Sequence, residues 1–325
     1  MRTETITSAQ NPKIRNLFLL QEKSKARREQ GLFVVEGARE LQHCLEGGYK
    51  VRTLFVCPEI TGTSALDSAG IYFSGRCPKN QIPAPSCLRH PALADVPAMP
   101  HEVSPAMPSE VSPAMPSEVS PAMPSDASVS PSSDVLVIEL PEQLYRKVAY
   151  RESTEGIIAE VEYKCLTLED LRLPENPLIV VLESVEKPGN LGAVLRSADA
   201  AGADAVFIGD PLTDLYNPNL IRASIGAVFT VPVVGAPSAR LIDWLKARCI
   251  RILTAQLQDS ALYYDVDMRR GTALVMGTES TGLTPQWRAA ADAHIRIPML
   301  GRLDSLNVSV SAAILLFEAV RQRQG

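Results

Sequence analysis

The second half of the chain alternates short apolar runs with segments of helical periodicity. Six apolar runs after residue 177 predict buried strands. They cover residues 178–183, 205–209, 230–234, 251–256, 273–277 and 294–298. Loops or helices separate these runs, and such alternation is typical of α/β proteins with a mostly parallel, doubly wound sheet.

A helix is predicted directly after the first of these runs. Its apolar stripe consists of Leu191, Val194, Leu195 and Ala198. Arg196 lies about 150° around the helix from that stripe, so we expect its side chain to point away from the core. Asn190 stands at the start of this helix and is expected to cap it.

A second helix is predicted at the end of the chain, beginning at Ser305 as its N-cap. Its core-facing stripe is expected to be Leu306, Val310, Ala313, Ile314 and Phe317. Further apolar residues lie at Val308, Ala312, Leu315, Leu316 and Ala319. A helix that is apolar on more than one face is usually buried on more than one side.

The first half predicts a smaller α/β domain. Its pattern reads helix, strand, helix and strand up to residue 57, then strand, helix and strand over 135–163. We assign this domain to residues 1–61 and 135–165, with a linker over 166–177 at the start of the second domain, 166–325.

Residues 62–134 interrupt the first domain. Between 98 and 128 an eight-residue unit recurs, AMPSEVSP with variants, and its prolines prevent both helix and sheet. The segment is predicted to be a disordered insertion with a polyproline-II tendency. Inert expansion of a surface loop is favoured over a role in peptide docking, since long loops add little closure entropy.

Composition excludes several classes of protein. The 325 residues can hold two domains, and 46% hydrophobic content allows a buried core. No apolar run reaches 18 residues and the N-terminus is polar, so neither a membrane span nor a signal peptide is expected, and the chain is predicted to be cytoplasmic. The six cysteines form no C-x-x-C pair and are expected to be reduced thiols; no metal site is predicted.

The net charge of −5 is unevenly distributed. Residues 62–134 carry −4, whereas residues 1–30 carry +4. A basic N-terminal segment fits local contact with nucleic-acid phosphates. The candidate RNA-binding residues are Lys13, Arg15, Lys23, Lys25, Arg27, Arg28 and Arg39; a solvated helix face is the alternative interpretation of this run.

Three segments resemble the motifs of the SpoU (TrmH) family of RNA ribose 2′-O-methyltransferases, part of the SPOUT superfamily. They read NLGAVLRSA at 190–198, GTESTGL at 277–283 and IRIPMLGRLDSLNVSVSAA at 295–313, in family order and at family-like spacing. The first half also resembles, less specifically, the RNA substrate-binding domain found ahead of such catalytic domains.

This resemblance implies a trefoil-knotted parallel sheet, S-adenosyl-L-methionine as cofactor and structured RNA, rRNA or tRNA, as substrate. It implies Arg196, Asn190 and Glu279 as catalytic residues. The implied cofactor-binding positions are Thr254, Ala255, Gly277, Ile297, Pro298, Met299, Ser305, Leu306 and Asn307. Gly277 is expected to let the backbone approach the cofactor. Thr278 and Ser280 depart from the residues common in the family and could alter the choice of target.

The role of Arg196 stays open at this point. The family's arginine is often proposed as the base, yet a guanidinium has a pKa above ~12 and does not readily release a proton. Binding of the adjacent phosphate and stabilisation of the developing alkoxide is the conservative alternative. A non-catalytic RNA-binding or assembly factor and a base methyltransferase are the rival functions.

The resemblance further implies a homodimer through the C-terminal domain, with Arg196 of one subunit near the cofactor loops of the other. The apolar excess of the last helix is compatible with that arrangement.

Overall fold

The computed structural model describes residues 2–61, 135–151, 154–278, 281–302 and 304–324. The predicted insertion, 62–134, lies outside the described residues, as do Glu279 and Ser280. The boundaries that we assign to the domains therefore stay predictions.

The N-terminal region forms a five-stranded mixed sheet in the order β1-β4-β3-β5-β2. Strands β1 and β4 are parallel, as are β4 and β3, whereas β5 runs antiparallel to both β3 and β2. The strands are β1 (Arg2–Thr5), β2 (Leu32–Glu36), β3 (Val51–Val56), β4 (Leu136–Glu139) and β5 (Ile157–Glu162). Sequence patterning misses β1, because this edge strand is polar and mostly exposed.

Residues 58–61 are helical, and four further helices of the described part of the chain accompany this sheet. They are α1 (Pro12–Glu22), α2 (Ser24–Gln30), α3 (Ala38–Glu46) and α4 (Glu142–Val148). Helix α1 begins at Asn11, whose side chain accepts from the Lys13 amide at 2.9 Å. Apolar residues of α1 and α4 meet one face of the sheet in a buried core around Leu17, Phe55 and Tyr145. The predicted α/β pattern of this region is thus observed.

The C-terminal region is built on a seven-stranded sheet in which every pairing is parallel, with the order β10-β12-β9-β11-β6-β7-β8. The strands are β6 (Leu178–Glu183), β7 (Ala205–Gly209), β8 (Val233–Ala236), β9 (Arg251–Ala255), β10 (Ala261–Leu262), β11 (Thr272–Met276) and β12 (Ala293–Arg296). The parallel sheet is confirmed. Two details differ: β8 begins three residues later than predicted, and the two-residue β10 carries no apolar run to reveal it.

Helices cover both faces of this sheet. They are α5 (Pro188–Ala200), α6 (Pro218–Ser224), α7 (Ala227–Thr230), α8 (Ser238–Ala247), α9 (Pro285–Ala290) and α10 (Val308–Gln324). Side chains of α8 and α9 pack on one face with Ile179, Phe207 and Val275. Alternate strand residues such as Val180 and Leu274 are equally buried, so the opposite face is also covered.

The strand order reverses between β6 and β11. The chain runs outward from β6 through β7 to β8, then crosses back to place β9, β11 and β12 on the other side of β6. Loops that leave the carboxyl ends of strands on either side of such a reversal diverge and leave a crevice. The crevice at the ends of β6, β9, β11 and β12 is where a ligand site is expected.

Helix α10 is buried on the face opposite to the one predicted. Its inward residues are Val308, Ala312, Leu315, Leu316, Ala319 and Gln322. The expected core stripe is instead partly or largely exposed: Val310 is 47% and Phe317 50% accessible. Both faces are apolar, so periodicity alone could not choose between them, and packing against α5 and β11 decides.

The last turn of α10 is fastened to the body by one arginine. The Arg323 guanidinium donates to four backbone carbonyl oxygens, at distances between 2.7 and 3.2 Å. The acceptors belong to Met268, Asn176, Pro177 and Arg270. These bonds join the end of the chain to the entry of β6 and to the segment before β11.

The predicted linker packs onto the second domain. Leu168 is 2% exposed and belongs to the core beneath α8, and Leu166, Leu171 and Leu173 pack against that core. The segment has no helix or strand, yet its leucines anchor it. None of the described helices combines the length and apolar character required to cross a membrane.

Candidate functional site

A cleft of about 640 Å³ opens at the carboxyl ends of β9, β11 and β12. Its walls come from three loops, through residues 255–258, residues 276–278 with 281–283, and residues 295–297 with 304–307, together with Met299 and the start of α10. Seven of the nine predicted cofactor-binding residues line it: Ala255, Gly277, Ile297, Met299, Ser305, Leu306 and Asn307. Tertiary structure thus gathers residues that are more than 50 positions apart in the sequence.

The other two predicted cofactor residues do not line the cleft. Thr254 is fully buried, and its hydroxyl lies 2.6 Å from Nδ1 of His294 on the neighbouring strand. Its side chain therefore ties β9 to β12 beneath the loops. Pro298 is half-buried between two lining residues.

The second-motif loop folds back on its own strand. The Gly282 amide donates to the Thr278 carbonyl at 3.0 Å, and Gly282 has a left-handed φ of 67°. A side chain at Gly277 would lie 2.3 Å from the Gly282 backbone. Glycine is required at this position because the loop's own backbone passes against it, and the expected approach of the cofactor to Gly277 stays a prediction.

Glu183 is a site residue that sequence patterning missed. It ends β6, is 2% exposed, and accepts from the amide (2.9 Å) and the hydroxyl (2.7 Å) of Thr284. It thereby holds Thr284, the residue before α9, and anchors the end of the second-motif loop to the strand that precedes the first motif. The available signal was a carboxylate ending a run of five apolar residues.

Asn307, rather than Ser305, begins the last helix. The Asn307 side-chain oxygen accepts from the Ser309 amide at 2.9 Å, and its carbonyl accepts from Val310 and Ser311 at 3.0 Å. The predicted start at Ser305 is therefore two residues early. Ser305 lies instead in the exposed loop that lines the cleft.

Asn307 also joins the third motif to the first. Its side-chain amide donates to the Asn190 side-chain oxygen at 3.2 Å. Asn190 does not cap α5 as expected, because the cap position is Lys187 and Pro188 opens the helix. The two asparagines hold the start of α5 beside the start of α10.

A second cavity of about 250 Å³ lies at this junction of motifs. It shares Gly277, Thr278 and Val308 with the larger cleft. Its remaining walls are Ser184, Val185, Glu186, Lys187 and Asn190. Groups held in the two cavities would be separated only by their common wall.

Arg196 is exposed on α5 and belongs to the lining of neither cavity. The predicted orientation away from the core is observed. Helix α5 packs against α10, so Arg196 and the exposed apolar side chains of α10 are carried by adjacent helices. Within one chain, the structure does not bring Arg196 into the cleft.

One of the predicted RNA-binding residues is contradicted. Arg27 is 2% exposed, and its guanidinium binds Asp214 and the carbonyl oxygens of Leu20 and Gln21. These acceptors satisfy it internally, so it cannot reach a phosphate. The other six are exposed or half-buried, and Lys13 forms an ion pair with Glu4; they are Lys13, Arg15, Lys23, Lys25, Arg28 and Arg39.

Both regions match described families. Residues 177–317 match the SpoU rRNA Methylase family, and residues 11–73 match an MRM3-like substrate binding domain. The chain is 40% identical over 176 residues to the 23S rRNA (guanosine-2′-O-)-methyltransferase RlmB of Bordetella pertussis. This match covers 53% of this chain and 72% of that protein. It is 34% identical over 190 residues to the 23S rRNA (uridine(2479)-2′-O)-methyltransferase of Streptomyces viridochromogenes, covering 56% of this chain and 66% of that one.

Solved structures extend this likeness over the whole chain. A crystal structure of an RNA 2′-O ribose methyltransferase is 32% identical with a TM-score of 0.71, covering 99% of this chain and 100% of that one. An AdoMet-bound rRNA methyltransferase from Sinorhizobium meliloti is 25% identical with a TM-score of 0.71, and 98% of each chain is covered.

Proposed function

Since the chain belongs to the SpoU family of rRNA methylases, we propose that its strand-end cleft is the methyltransferase active site and that 23S rRNA is its substrate. The enzyme has the SPOUT fold and transfers a methyl group from S-adenosylmethionine to a ribose 2′-hydroxyl of RNA. The observation that carries the proposal is the convergence of all three motifs on two adjoining cavities. The names of the relatives give uridine in one case and guanosine in another as the methylated nucleotide.

The cleft fits the cofactor. Its volume falls within the range of about 300–1,000 Å³ that is usual for sites of small ligands and cofactors. Leu283, Ile297 and Leu306 offer apolar walls for an adenine ring, and the loops offer backbone polar groups for the ribose. S-adenosylmethionine supplies a methyl group already activated on a sulfonium, so the protein's task is positioning and charge stabilisation.

We place the acceptor nucleotide in the second cavity. The acceptor hydroxyl must come within about 3–3.5 Å of the methyl carbon for transfer. The two cavities adjoin at Gly277, Thr278 and Val308, which is compatible with such an approach. Asn190 lines the second cavity, Asn307 lines the cleft, and their bonded side chains can orient the ribose through their amide groups.

Arg196 is proposed to bind the phosphate beside the acceptor and to stabilise the alkoxide that develops there. A guanidinium donates five N–H groups and stays protonated, so the proton leaves through phosphate or water rather than to Arg196. Glu279, at its position in the second motif, is proposed to hold the polar network of the site.

A homodimer would complete this site. Arg196 lies outside both cavities of its own chain, and apolar side chains are exposed on α10, at Val310 and Phe317, and just before it, at Leu306. Self-association through this apolar face would carry the Arg196 of one subunit toward the cleft of the other. Mixing Arg196→Ala with Asn307→Ala subunits tests this arrangement: a shared site predicts partial recovery of activity in the heterodimer, and two independent sites predict none.

The N-terminal domain is proposed to bind the RNA. Its exposed cations lie on and around α1, α2 and α3, and phosphate contacts of this kind weaken with salt. Charge reversal at Lys23 and Arg28 should reduce RNA affinity and flatten its salt dependence while leaving cofactor affinity unchanged.

Mass-spectrometric mapping of 2′-O-methyl nucleotides tests the function directly. One nucleotide of 23S rRNA should lack its 2′-O-methyl group in a strain without this protein, and purified enzyme with S-adenosylmethionine should restore it in vitro. An unchanged set of modified nucleotides would refute the proposed substrate. A changed base methylation would refute the ribose assignment.

A further inference from the structure

The loop between β7 and α6 contacts both the acceptor cavity and the N-terminal domain. We call residues 211–217 the bridging loop. It follows Asp210, which adopts a left-handed φ of 49°, and it ends at Asn217, whose side chain caps α6 through the Asn219 amide at 2.9 Å. Both ends are therefore fixed by local geometry that small polar residues favour.

The first contact of the bridging loop is with the wall of the acceptor cavity. The Thr213 hydroxyl donates to the Glu186 carbonyl at 2.5 Å and lies 3.3 Å from the Val185 carbonyl. Both of these residues line the cavity. The wall begins at Ser184, which has a left-handed φ of 51° and donates its amide to Gly209 at 2.9 Å. The wall is thus held at two points by the end of β7 and the loop that follows it.

The second contact is with the helix that carries the basic run. Asp214 Oδ2 accepts from Nε of Arg27 at 2.7 Å, and the two side chains are only 10% and 2% exposed. The other carboxylate oxygen accepts from the Tyr216 amide at 3.0 Å. Arg27 also donates to carbonyls at the end of α1, so one ion pair joins the loop to both α1 and α2.

The third contact is aromatic. Tyr216 stacks on Phe33 of β2, with ring centroids 4.2 Å apart, and its hydroxyl donates to the Lys164 carbonyl at 2.6 Å. Burial raises the pKa of Tyr216, so its hydroxyl stays protonated and remains a donor. The junction is therefore a packed, hydrogen-bonded contact that resists relative motion of its two sides.

We propose that Thr213 and Asp214 are positioning residues for methyl transfer, which fix the acceptor wall at a set place relative to the RNA-facing surface of α2. The proposal rests on the acceptor cavity assigned above. Lys23, Lys25 and Arg28 are exposed on or next to α2, and the adjacent Arg27 is the residue tied to Asp214. The cations of α2 would hold the RNA strand. Thr213 and Asp214 connect the same helix to residues 185 and 186 of the acceptor cavity, so the bound RNA and the cavity are held in a fixed relation.

The expected consequence is a loss in turnover rather than in cofactor binding. Residues 184–187 line the acceptor cavity but not the cofactor cleft. Loss of their bond to Thr213 should therefore leave the cofactor cleft intact. A displacement of the acceptor of about 1 Å can cost on the order of 10²-fold in rate. A purely structural role for Thr213 would instead lower stability and affect both substrates together.

The test uses the full chain with Thr213→Val, which keeps the branched shape but removes the hydroxyl, and Thr213→Ser, which keeps the hydroxyl. Thr230→Val is the matched control, because Thr230 also uses its hydroxyl in a side-chain bond, to Asp199, on the surface of the same domain. The substrate is 23S rRNA from a strain lacking this protein, and S-adenosylhomocysteine is the probe for calorimetry.

Thr213→Val should lower kcat on RNA by at least about 10-fold, while the Kd for S-adenosylhomocysteine changes by less than about two-fold. Thr213→Ser should return kcat to within about three-fold of wild type, and Thr230→Val should match wild type. Wild-type turnover by Thr213→Val, failure of serine to rescue, or a parallel loss of cofactor affinity would each overturn the proposal. Wild-type enzyme that left the rRNA unmethylated would refute the proposed substrate instead.

The ion pair needs a variant that folds without it. Replacing both partners, in Arg27→Met with Asp214→Leu, removes the tie without leaving a buried charge, and such apolar exchanges are often neutral or stabilising. This variant should bind S-adenosylhomocysteine like wild type and turn over RNA at least about 10-fold more slowly. Unchanged turnover in the folded double variant would show that Asp214 has no positioning role.

Discussion

The strand-end cleft and the domain junction are built from opposite kinds of residue. Of the cleft residues, Ser305, Leu306 and Asn307 are exposed and lie in the loop that leads into α10. At the junction, the buried Arg27 pairs with Asp214, and the buried rings of Phe33 and Tyr216 stack on each other. Substitutions in the cleft should therefore cost activity, and single substitutions that leave a buried junction group without its partner should cost stability.

Arg196→Ala should give the largest effect, and it tests the first half of this comparison. Loss of one preorganised donor to a developing oxyanion costs about 10²–10³-fold in kcat, with cofactor affinity and Tm near wild type. Arg240→Ala, an exposed arginine on α8 that pairs with Glu169, is the control and should retain full activity. Near-wild-type turnover by Arg196→Ala would place the catalytic group elsewhere.

Arg27→Ala tests the second half. It leaves Asp214 as a buried, unpaired carboxylate, so the free energy of unfolding should fall by about 3–5 kcal/mol in chemical denaturation. Its neighbour Arg28 is exposed, and Arg28→Ala should change stability by less than about 0.5 kcal/mol. Equal stability of the two variants would contradict the buried contact.

Arg323→Ala extends the comparison to the end of the chain. Four carbonyl oxygens lose a charged donor, two of them in part-buried bonds, and we expect a loss of about 2–3 kcal/mol in the free energy of unfolding. Arg321, two residues earlier, is exposed and forms an ion pair with Glu318. Arg321→Ala should cost less than about 1 kcal/mol, and a reversal of this order would remove the fastening role of Arg323.

The buried and exposed faces of α10 allow the effects on stability and on self-association to be compared within one helix. Leu316→Ala, on the buried face, should destabilise the fold by about 2–5 kcal/mol without changing subunit composition. Phe317→Ser, on the exposed face, should change the stability of the isolated chain by only about 0.5 kcal/mol. Light scattering should show the mass of a dimer for Leu316→Ala and of a monomer for Phe317→Ser; an active monomeric wild type would refute the shared site.

Deletion of residues 66–130 should have the smallest effect of all. The repeat has no core-forming periodicity, so removal should shift Tm by less than about 3 °C and leave methyl transfer nearly unchanged. A larger loss measured by calorimetry would show that the segment packs against the body.

Several features of the fold and site were already decided by the sequence. The parallel sheet follows from apolar runs such as 178–183 and 205–209, which are long enough for strands buried on both faces. The identity of most cofactor-cleft residues came from motif resemblance, and the structure gathers Ala255, Gly277 and Asn307 at one sheet edge. Parallel strands force this outcome, because their carboxyl ends all lie on the same side.

Other features were decided only by tertiary structure. Arg27 reads as one more cation in a basic run, and only the proximity of Asp214, far along the chain, makes it a buried partner. Glu183 becomes a loop anchor only when Thr284 is placed beside it. The last helix is the sharpest case: its sequence is apolar on two faces and specifies a helix, but not which face turns inward. That choice depends on the shape of α5 and β11, against which Leu315 and Leu316 pack, and periodicity along one segment carries no information about the surface it will meet.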